Sequence, residues 1–469
     1  MGLARLLHRL APSAVAPPDH GPRSGIRLGT DDGFRAVVDD RGTVAVVGRD
    51  YVVEWWIGGD DRWYAPVTEA AVRQVRPGDA PVVETRMRVH GADVVATTWA
   101  AQADGSQGPA VVVELTNDTA VPVAVAVVVR AAAGGRIRRL AVDGRRLVAD
   151  GVPAVVVDRA PGRYALVDAS SDLWDEVVGG RATVEVSEPV RCRAGLAAGA
   201  LVLPLAHQNA LWFAVPGGDL ADDPTAVLPP PDRVAAGWSA RLDRAAHVAL
   251  PDAGDVRRLL ADLLLAYAEP TVVVELARWG LISEAADRLG SLGSGSLGLV
   301  CEAAGDDPAD LAALADLFDA VGEPTAAGDA RERLRERVRI PVGERFTPAI
   351  RPAAGPAARL RALAGAAVLP SSDGLDLLPS VPDAWLGHPI EVHGLATTEG
   401  RLGFAVRWHG ERPALLWELR RSGLTADDPG GGPVLRVPGL DRSFSTTEAS
   451  GEALLAAPAG RSPSLASGK

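Results

Sequence analysis

The sequence predicts a multidomain β + α protein, in which a large β-sandwich precedes a short helical domain and a small β domain follows. Three changes of pattern support this prediction. Short strands separated by turns fill residues 26–250, helical periodicity replaces them at 251–369, and alternating strands return at 370–457. The end segments lack such patterns, so we expect 1–25 to be disordered or a short amphipathic segment, and 458–469 to be disordered.

Paired strands are indicated at several places in the first region. Asp39–Gly42 separates two apolar runs and predicts a hairpin, because Gly42 can supply a positive φ. Apolar and charged side chains alternate strictly from Val83 to Val89, which is typical of a half-buried strand. The run 121–129 is apolar on both faces and predicts a strand inside the core.

The helical region shows both a periodic apolar face and a start signal. Apolar residues recur at helical spacing between Val256 and Leu264. Asp307 can cap the next clear helix and Pro308 suits its first turn, while Gly322 can end it. In all, about six or seven short helices fit into roughly 115 residues.

Composition excludes several classes of function. The chain has 469 residues and a formal net charge of −12, whereas nucleic-acid binding requires a basic face, so we expect no nucleic-acid partner. No run of 18 apolar residues predicts a membrane span. The basic N-terminal stretch lacks the apolar core of a signal peptide, and we therefore expect a cytoplasmic protein.

Metal, cofactor and disulfide chemistry have little support in the sequence. Cys192 and Cys301 form neither a disulfide framework nor a CxxC pair, so both are expected to be free thiols. His388 and His393 come nearest to a histidine pair, and we expect no metal site there. The Gly-rich stretch 290–298 lacks the GK[ST] of a phosphate loop, so no cofactor is expected.

Three parts of the chain stand in an order that is typical of one enzyme superfamily. VVEWWIGGDDRWYAP at 52–66 is followed by PVVETRMRVHG at 81–91. VELARWGLISEAADRLGSLGSGSLG occupies 274–298, and LDLLPSVPDAWLGHPIEVHGL at 375–395 precedes FAVRWHG at 404–410. These parts resemble the amino-terminal supersandwich, a helical hairpin and the closing β segment of glucoamylase-like, six-hairpin (α/α)6 glycoside hydrolases.

The resemblance implies an N-terminal β-supersandwich, a shortened (α/α) helical-hairpin domain and a small C-terminal β domain. A full barrel of twelve helices needs roughly 200 residues, so at most half of one fits here. In the family, two carboxyl groups about 6.5–9.5 Å apart act across the cleft and come from distant hairpins. We therefore expect a catalytically degenerate protein of carbohydrate metabolism, a pseudoenzyme that binds a glycan or a protein. An active inverting glycoside hydrolase with a rearranged site and a structural assembly protein remain as alternatives.

Glu275, Glu302 and Asp306 are the acids of the helical region that could serve catalysis. Glu275 lies in mid-helix, where packing or surface exposure is the ordinary role. Glu302 and Asp306 lie near a loop, where acids are usually solvated. An enzyme would need two such carboxyl groups facing each other across a cleft.

Trp55, Trp56, Trp63 and Tyr64 are candidate carbohydrate-binding residues. Aromatic faces stack on sugar rings, because both are flat and partly apolar. Packing at the edge of the sandwich is the structural alternative for the same side chains.

A half ring of hairpins would leave apolar helix faces open at its two ends. The segments 256–264 and 311–321 carry such faces, and exposed apolar patches of several hundred Å² mark interaction sites. Either the β domains of the chain close over these faces or a second molecule does, and we expect self-association, or a protein partner, through the helical domain.

Overall fold

The computed structural model describes residues 25–89, 91–103, 107–186, 188–220, 224–251, 254–293, 295–338, 355–421 and 432–458. The amphipathic N-terminal segment and nearly all of the predicted C-terminal tail lie outside these residues. The chain divides into two compact units, Met1–Ser239 and Ala240–Lys469, which are described separately below. The five predicted domain ranges stay a proposal.

The first unit is built mainly from short strands. Within the described residues they are β1 Ile26–Gly29, β2 Arg35–Val38, β3 Val44–Val46, β4 Tyr51–Gly58, β5 Trp63–Tyr64, β6 Val72–Val75, β7 Val82–Val89, β8 Ala92–Gln102, β9 Pro109–Asn117, β10 Val123–Ala131, β11 Arg139–Asp143, β12 Arg146–Ala149, β13 Val152–Val157, β14 Arg163–Val167, β15 Val190–Arg191, β16 Ala198–Leu205 and β17 Ala210–Pro216. Two helices belong to this part of the chain: α1 Leu173–Val178, and α2 Pro231–Leu242, which runs across the division between the units.

These strands form two antiparallel sheets that enclose one core. The eight-stranded sheet has the order β1-β2-β3-β4-β10-β16-β14, with β5 paired to β4, and the nine-stranded sheet has the order β15-β11-β12-β13-β17-β9-β8-β7-β6. Trp55 and Val127 from the first sheet pack with Leu115 and Phe213 from the second, and all four are almost completely buried. The predicted N-terminal β-sandwich is confirmed.

The local patterns of the sandwich agree with the sequence. Strands β2 and β3 form the predicted hairpin, and Gly42 in its loop has a φ of 81°. The Asp39 carboxylate stabilises this loop by accepting the backbone N–H of Arg41 at 2.9 Å and of Thr43 at 2.8 Å. Strand β10 is apolar on both faces because each face packs against a separate apolar cluster.

The second unit contains seven more helices and nine more strands within its described residues. The helices are α3 Val256–Leu264, α4 Pro270–Arg278, α5 Ile282–Ser291, α6 Ser296–Ala304, α7 Pro308–Ala320, α8 Pro324–Val338 and α9 Pro356–Ala367. The strands are β18 His247–Ala249, β19 Val368–Pro370, β20 Gly374–Leu377, β21 Ile390–Thr397, β22 Gly400–His409, β23 Arg412–Arg421, β24 Val434–Val437, β25 Asp441–Thr446 and β26 Ser450–Leu454. The shortened helical domain and the small C-terminal β domain are confirmed.

The strands of the second unit form two small sheets. A five-stranded antiparallel sheet has the order β18-β21-β22-β23-β26, and a four-stranded sheet has the order β19-β20-β24-β25, in which β20 and β24 are parallel. Strand β18 lies within the range 26–250, yet it pairs with β21. Strand β18 has only three residues, which is too short a pattern to predict a pairing with a strand that lies so far along the chain.

The apolar helix faces are covered within the unit. Helix α7 begins as predicted, because the Asp307 carboxylate accepts the N–H of Ala309 at 2.9 Å and of Asp310 at 3.2 Å. The Leu314 side chain in α7 and the Leu263 side chain in α3 are completely buried. Helices α4 and α8 and strand β21 pack against α7, and α9 packs against α3. For these two helices, other elements of the same chain cover the apolar faces, which is the intramolecular alternative.

None of the described helices is long and apolar enough to cross a lipid bilayer.

Candidate functional site

The sequence candidate Glu275 lies inside the helical part of the second unit. Its position in the middle of α4 turns it away from solvent, and only 1 % of the residue is exposed. The Trp279 indole N–H donates to Oε1 at 2.9 Å. Arg361 of α9 donates to Oε2 from Nε at 3.3 Å and from Nη2 at 3.2 Å. Both carboxylate oxygens are therefore held by protein donors.

Glu275 belongs to a larger group of charges, which we call the carboxylate–arginine network: Glu275, Arg278 and Asp310, which are buried, and Asp307 and Arg361, which are half-buried. Arg278 Nη1 donates to Asp310 Oδ1 at 2.9 Å and lies 3.4 Å from Asp307 Oδ2. Arg361 Nη2 lies 2.8 Å from Asp310 Oδ2, at an angle outside hydrogen-bond geometry. The network joins α4, α7 and α9, and its three acids exceed its two arginines by one charge.

Burial and neighbouring charges shift the pKa values of Asp307 and Asp310 in opposite directions overall. Burial raises the pKa of Asp310 to about 6, although the positive charge of Arg278 opposes this shift. For Asp307 burial also acts upward, but Arg278 and the N–H groups at the helix start lower its pKa below the usual value. Asp310 is therefore the member most ready to hold a proton, which would remove the excess negative charge.

This arrangement is suited to holding helices together. Buried carboxylates that are paired with arginines and hydrogen-bonded satisfy each other and have little capacity left for a substrate. An acid and a base for glycoside hydrolysis must both reach the scissile bond. The sequence showed only part of the network, since Arg278, Asp310 and Arg361 come from three helices. The spacing of Glu275 and Trp279, four residues apart, is a local signal that their side chains can meet on one helix face.

The other two acidic candidates lie on the surface. Glu302 is exposed near the end of α6. Asp306 is exposed in the loop between α6 and α7, and its carboxylate lies 3.6 Å from Arg333 of α8. Their catalytic roles stay a prediction.

The four aromatic candidates are divided between the two faces of the first sheet. Consecutive residues of a strand point to opposite faces, so Trp55 packs between the two sheets while Trp56 lies on the outer face. Tyr64 is buried and donates its hydroxyl to Asp61 at 2.6 Å. Trp63 is half-buried. Trp55, Trp56 and Tyr64 are all buried, so the protein itself covers their rings, whereas Trp63 keeps part of its ring open to solvent.

An aromatic cluster on the outer face contains one residue that sequence reasoning missed. The rings of Trp56 and Trp174 meet edge to face, with centroids 5.1 Å apart and planes at 65°. Trp63 packs against the same apolar cluster, and Trp63 and Trp174 are both half-buried. We call Trp56, Trp63 and Trp174 the outer-face aromatic cluster. Trp174 lies in the short helix α1, and no pattern in the sequence linked it to Trp56.

A small cleft adjoins Trp56. Its empty volume, open to solvent, is about 190 Å³, and it is lined by Arg41, Gly42, Thr43, Glu54, Trp55, Trp56, Pro66 and Val67. The Glu54 carboxylate is buried and accepts a hydrogen bond from Arg130 Nε at 2.7 Å. Arg41 donates to the carbonyl oxygen of Glu69 at 2.8 Å. Polar groups thus stand beside an aromatic face.

Metal and thiol chemistry have little support among the described residues. Among the described residues no group of three or more His, Cys, Asp or Glu side chains is placed to hold a metal ion. Cys192 is buried and Cys301 half-buried, and both are free thiols. Burial raises the pKa of Cys301, so its thiol stays protonated at neutral pH.

Comparisons with known proteins give only a weak structural likeness. No family model and no curated protein matches the chain. A bacterial glucoamylase complexed with acarbose matches with a TM-score of 0.40 and 7 % identity over 65 % of this chain and 64 % of that one. A glycosyl hydrolase of family GH92 matches with a TM-score of 0.18 and 12 % identity over 69 % and 55 %. The chain spans less than two thirds of the length of both.

Proposed function

We propose that this chain is a glycoside-hydrolase-like protein that binds a glycan and does not cleave it. The observation that carries the proposal is the state of Glu275 and Asp310, which are buried and held by Arg278 and Arg361. Carboxylates that are paired with arginines in this way stabilise the packing of the helices. Glycoside hydrolysis instead requires an acid and a base that reach the sugar. The cytoplasmic location predicted from the sequence belongs to the same proposal.

The outer-face aromatic cluster supports binding of a glycan. Trp63 and Trp174 each keep part of their ring surface open to solvent. The flat, partly apolar face of a sugar ring stacks on such a surface. Arg41 in the adjoining cleft carries N–H groups that can donate hydrogen bonds to hydroxyls.

The size of the cleft favours a surface-bound chain over an enclosed sugar. Pockets that bury a whole ligand have volumes of about 300–1,000 Å³. The cleft beside Trp56 is far smaller and has room for roughly one water molecule. A glycan would therefore lie across the half-exposed tryptophans and not enter the cleft.

Calorimetric titration of the full chain with maltoheptaose and with cellohexaose tests this proposal. We expect one of the two glycans to bind. Loss of a stacking ring should weaken binding by about tenfold in Trp63→Ala and in Trp174→Ala, since an aromatic contact contributes about 0.5–1.5 kcal/mol. Trp408→Ala removes a half-buried indole from the second unit and serves as the matched control.

Two results would overturn the proposal. One is the absence of binding of either glycan by the wild-type chain. The other is an equal loss of affinity in Trp408→Ala and Trp63→Ala, which would show that the outer-face cluster is not the contact surface.

A further inference from the structure

Two exposed histidines face each other on the five-stranded sheet of the second unit. His247 of β18 is directly opposite His393 of β21 in the antiparallel register. Their ring centroids are 6.0 Å apart, and the ring planes differ by 26°. Directly opposed residues have Cβ atoms about 4.5–5.5 Å apart, so both rings can approach a common point in solvent.

The backbone fixes this pairing on both strands. Strand β18 is at the edge of the sheet, so the side chain of His247 has open space beside it. On β21 the register with β22 shifts between Val392 and Leu395, which indicates a bulge. Gly394 within the bulge has a φ of 72°, which suits glycine. A bulge re-aims the neighbouring side chain, here that of His393.

We propose that His247 and His393 form a two-histidine site for a divalent late transition-metal ion such as Zn²⁺ or Cu²⁺. Imidazole nitrogens suit these ions and coordinate zinc at about 2.0–2.1 Å. Two adjacent ligands at such distances are about 3 Å apart, which a rotation of two exposed rings can reach. Water completes the coordination, and the ion exchanges readily.

The charges around the pair agree with binding as neutral imidazoles. Burial, the nearby His393 and Arg257 of α3 all lower the pKa of His247. Arg257 is itself paired with Asp243 at 2.7 Å. Glu391, two residues before His393, forms an ion pair with Arg407.

This site differs from the expectation drawn from the sequence. The sequence places His393 near His388 along the chain, and it predicts no metal site at these two residues. The structure pairs His393 with His247, which precedes the helices. The distance between the two residues in sequence hid the pair.

Titration of the full chain with Zn²⁺, followed by calorimetry at neutral pH, tests the proposal. We expect one site in the wild type and a loss of zinc affinity of at least about tenfold in His247→Ala and in His393→Ala, because each variant leaves one ligand without its chelating partner. His388→Ala removes an exposed histidine that stands apart from the pair and should bind Zn²⁺ as the wild type does. The Cu²⁺ resonance spectrum should show two coordinating nitrogens in the wild type and one in each variant of the pair.

A second measurement separates metal binding from damage to the fold. An ion that binds only the folded chain raises its unfolding temperature. We expect Zn²⁺ to raise it in the wild type and in His388→Ala, and to leave it unchanged in His247→Ala. Zinc affinity that is equal in the wild type and in His247→Ala would overturn the proposal, as would the absence of zinc binding by the wild type.

Discussion

Arg278 and Asp310 meet at 2.9 Å inside the helical part of the second unit, where Arg278 is 7 % exposed and Asp310 is completely buried. The contact joins the last turn of α4 to the first turn of α7. Removing one member of a buried pair leaves the other charged and without compensation. The pair therefore makes the packing of these helices sensitive to single substitutions.

We predict that Arg278→Ala lowers the free energy of unfolding of the helical part by about 3–5 kcal/mol, because Asp307 and Asp310 lose their buried cation. The double variant Arg278→Met with Asp310→Leu should recover part of this loss, since it removes both members of the pair and leaves only the half-buried Asp307 without its cation. Chemical denaturation followed by far-ultraviolet circular dichroism measures both. A loss below about 1 kcal/mol in Arg278→Ala would be typical of a surface pair and would contradict the structural role.

The pH dependence of stability should show the raised pKa of Asp310. The pKa of Asp310 is about 6 in the folded chain, against an ordinary value of 3.8 for an aspartate. Between these values the folded chain binds a proton that the unfolded chain does not, so stability falls as pH rises toward about 6 and is level above it. At about 1.4 kcal/mol per unit of pKa, the change is of the order of 3 kcal/mol.

Denaturation midpoints across this pH window provide the measurement. Asp310→Asn should remove the fall in stability between pH 3.8 and about 6, because the amide does not titrate. Asp373→Asn changes an exposed acid of the C-terminal part and should keep the decline. Equal pH profiles for the wild type and Asp310→Asn would refute the assignment.

We predict that the chain releases no reducing sugar from maltose, trehalose or dextrin. The measurement is a long incubation at high protein concentration, with Glu302→Gln and Asp306→Asn as comparisons. These two acids are exposed, so the substitutions should leave the fold unchanged. Sugar release by the wild type that disappears in either variant would instead support the active hydrolase.

Both cysteines should titrate as thiols in the unfolded chain under non-reducing conditions. In the native chain Cys301 should react before Cys192, because Cys301 is half-buried and Cys192 is 4 % exposed. Cys301→Ser should remove the faster phase. Fewer than two reactive thiols per unfolded chain would contradict the prediction.

Self-association through the helical domain stays a prediction, and the structure changes the residues that test it. Leu314 is completely buried, so Leu314→Ala should cost about 2–5 kcal/mol of stability in a monomer or a dimer alike. Leu299 is 52 % exposed and Tyr267 50 % exposed. If these surfaces carry the contact, Leu299→Arg should lower the sedimentation coefficient at micromolar concentration. An unchanged coefficient would remove Leu299 from any such interface.

The parts of the fold that depend on local pattern could be predicted from the sequence. The hairpin at Gly42, the strand ending at Val89 and the capped start of α7 at Asp307 each follow from a few neighbouring residues. Their physical causes, backbone conformation and the period of burial, act over short distances.

The candidate sites were harder to predict from the sequence, because the residues that form them come from segments far apart along the chain. Trp174 meets Trp56 only after β4, β14 and α1 are in place, and Arg361 reaches Glu275 from another helix. The alternation of strands did separate Trp55 from Trp56, but it did not indicate which of them faces the interior. That choice depends on which face the second sheet covers.

The pairing of β18 with β21 means that the helical segment is an insertion between two adjacent strands of one sheet. During synthesis β18 has no partner until the ribosome has passed His393, so this sheet closes only after all seven helices have emerged. The entropy of closing such a loop changes slowly with its length, by about 0.6 kcal/mol for each doubling. Helices could thus be lost or gained between the same two attachment points during evolution at little energetic penalty.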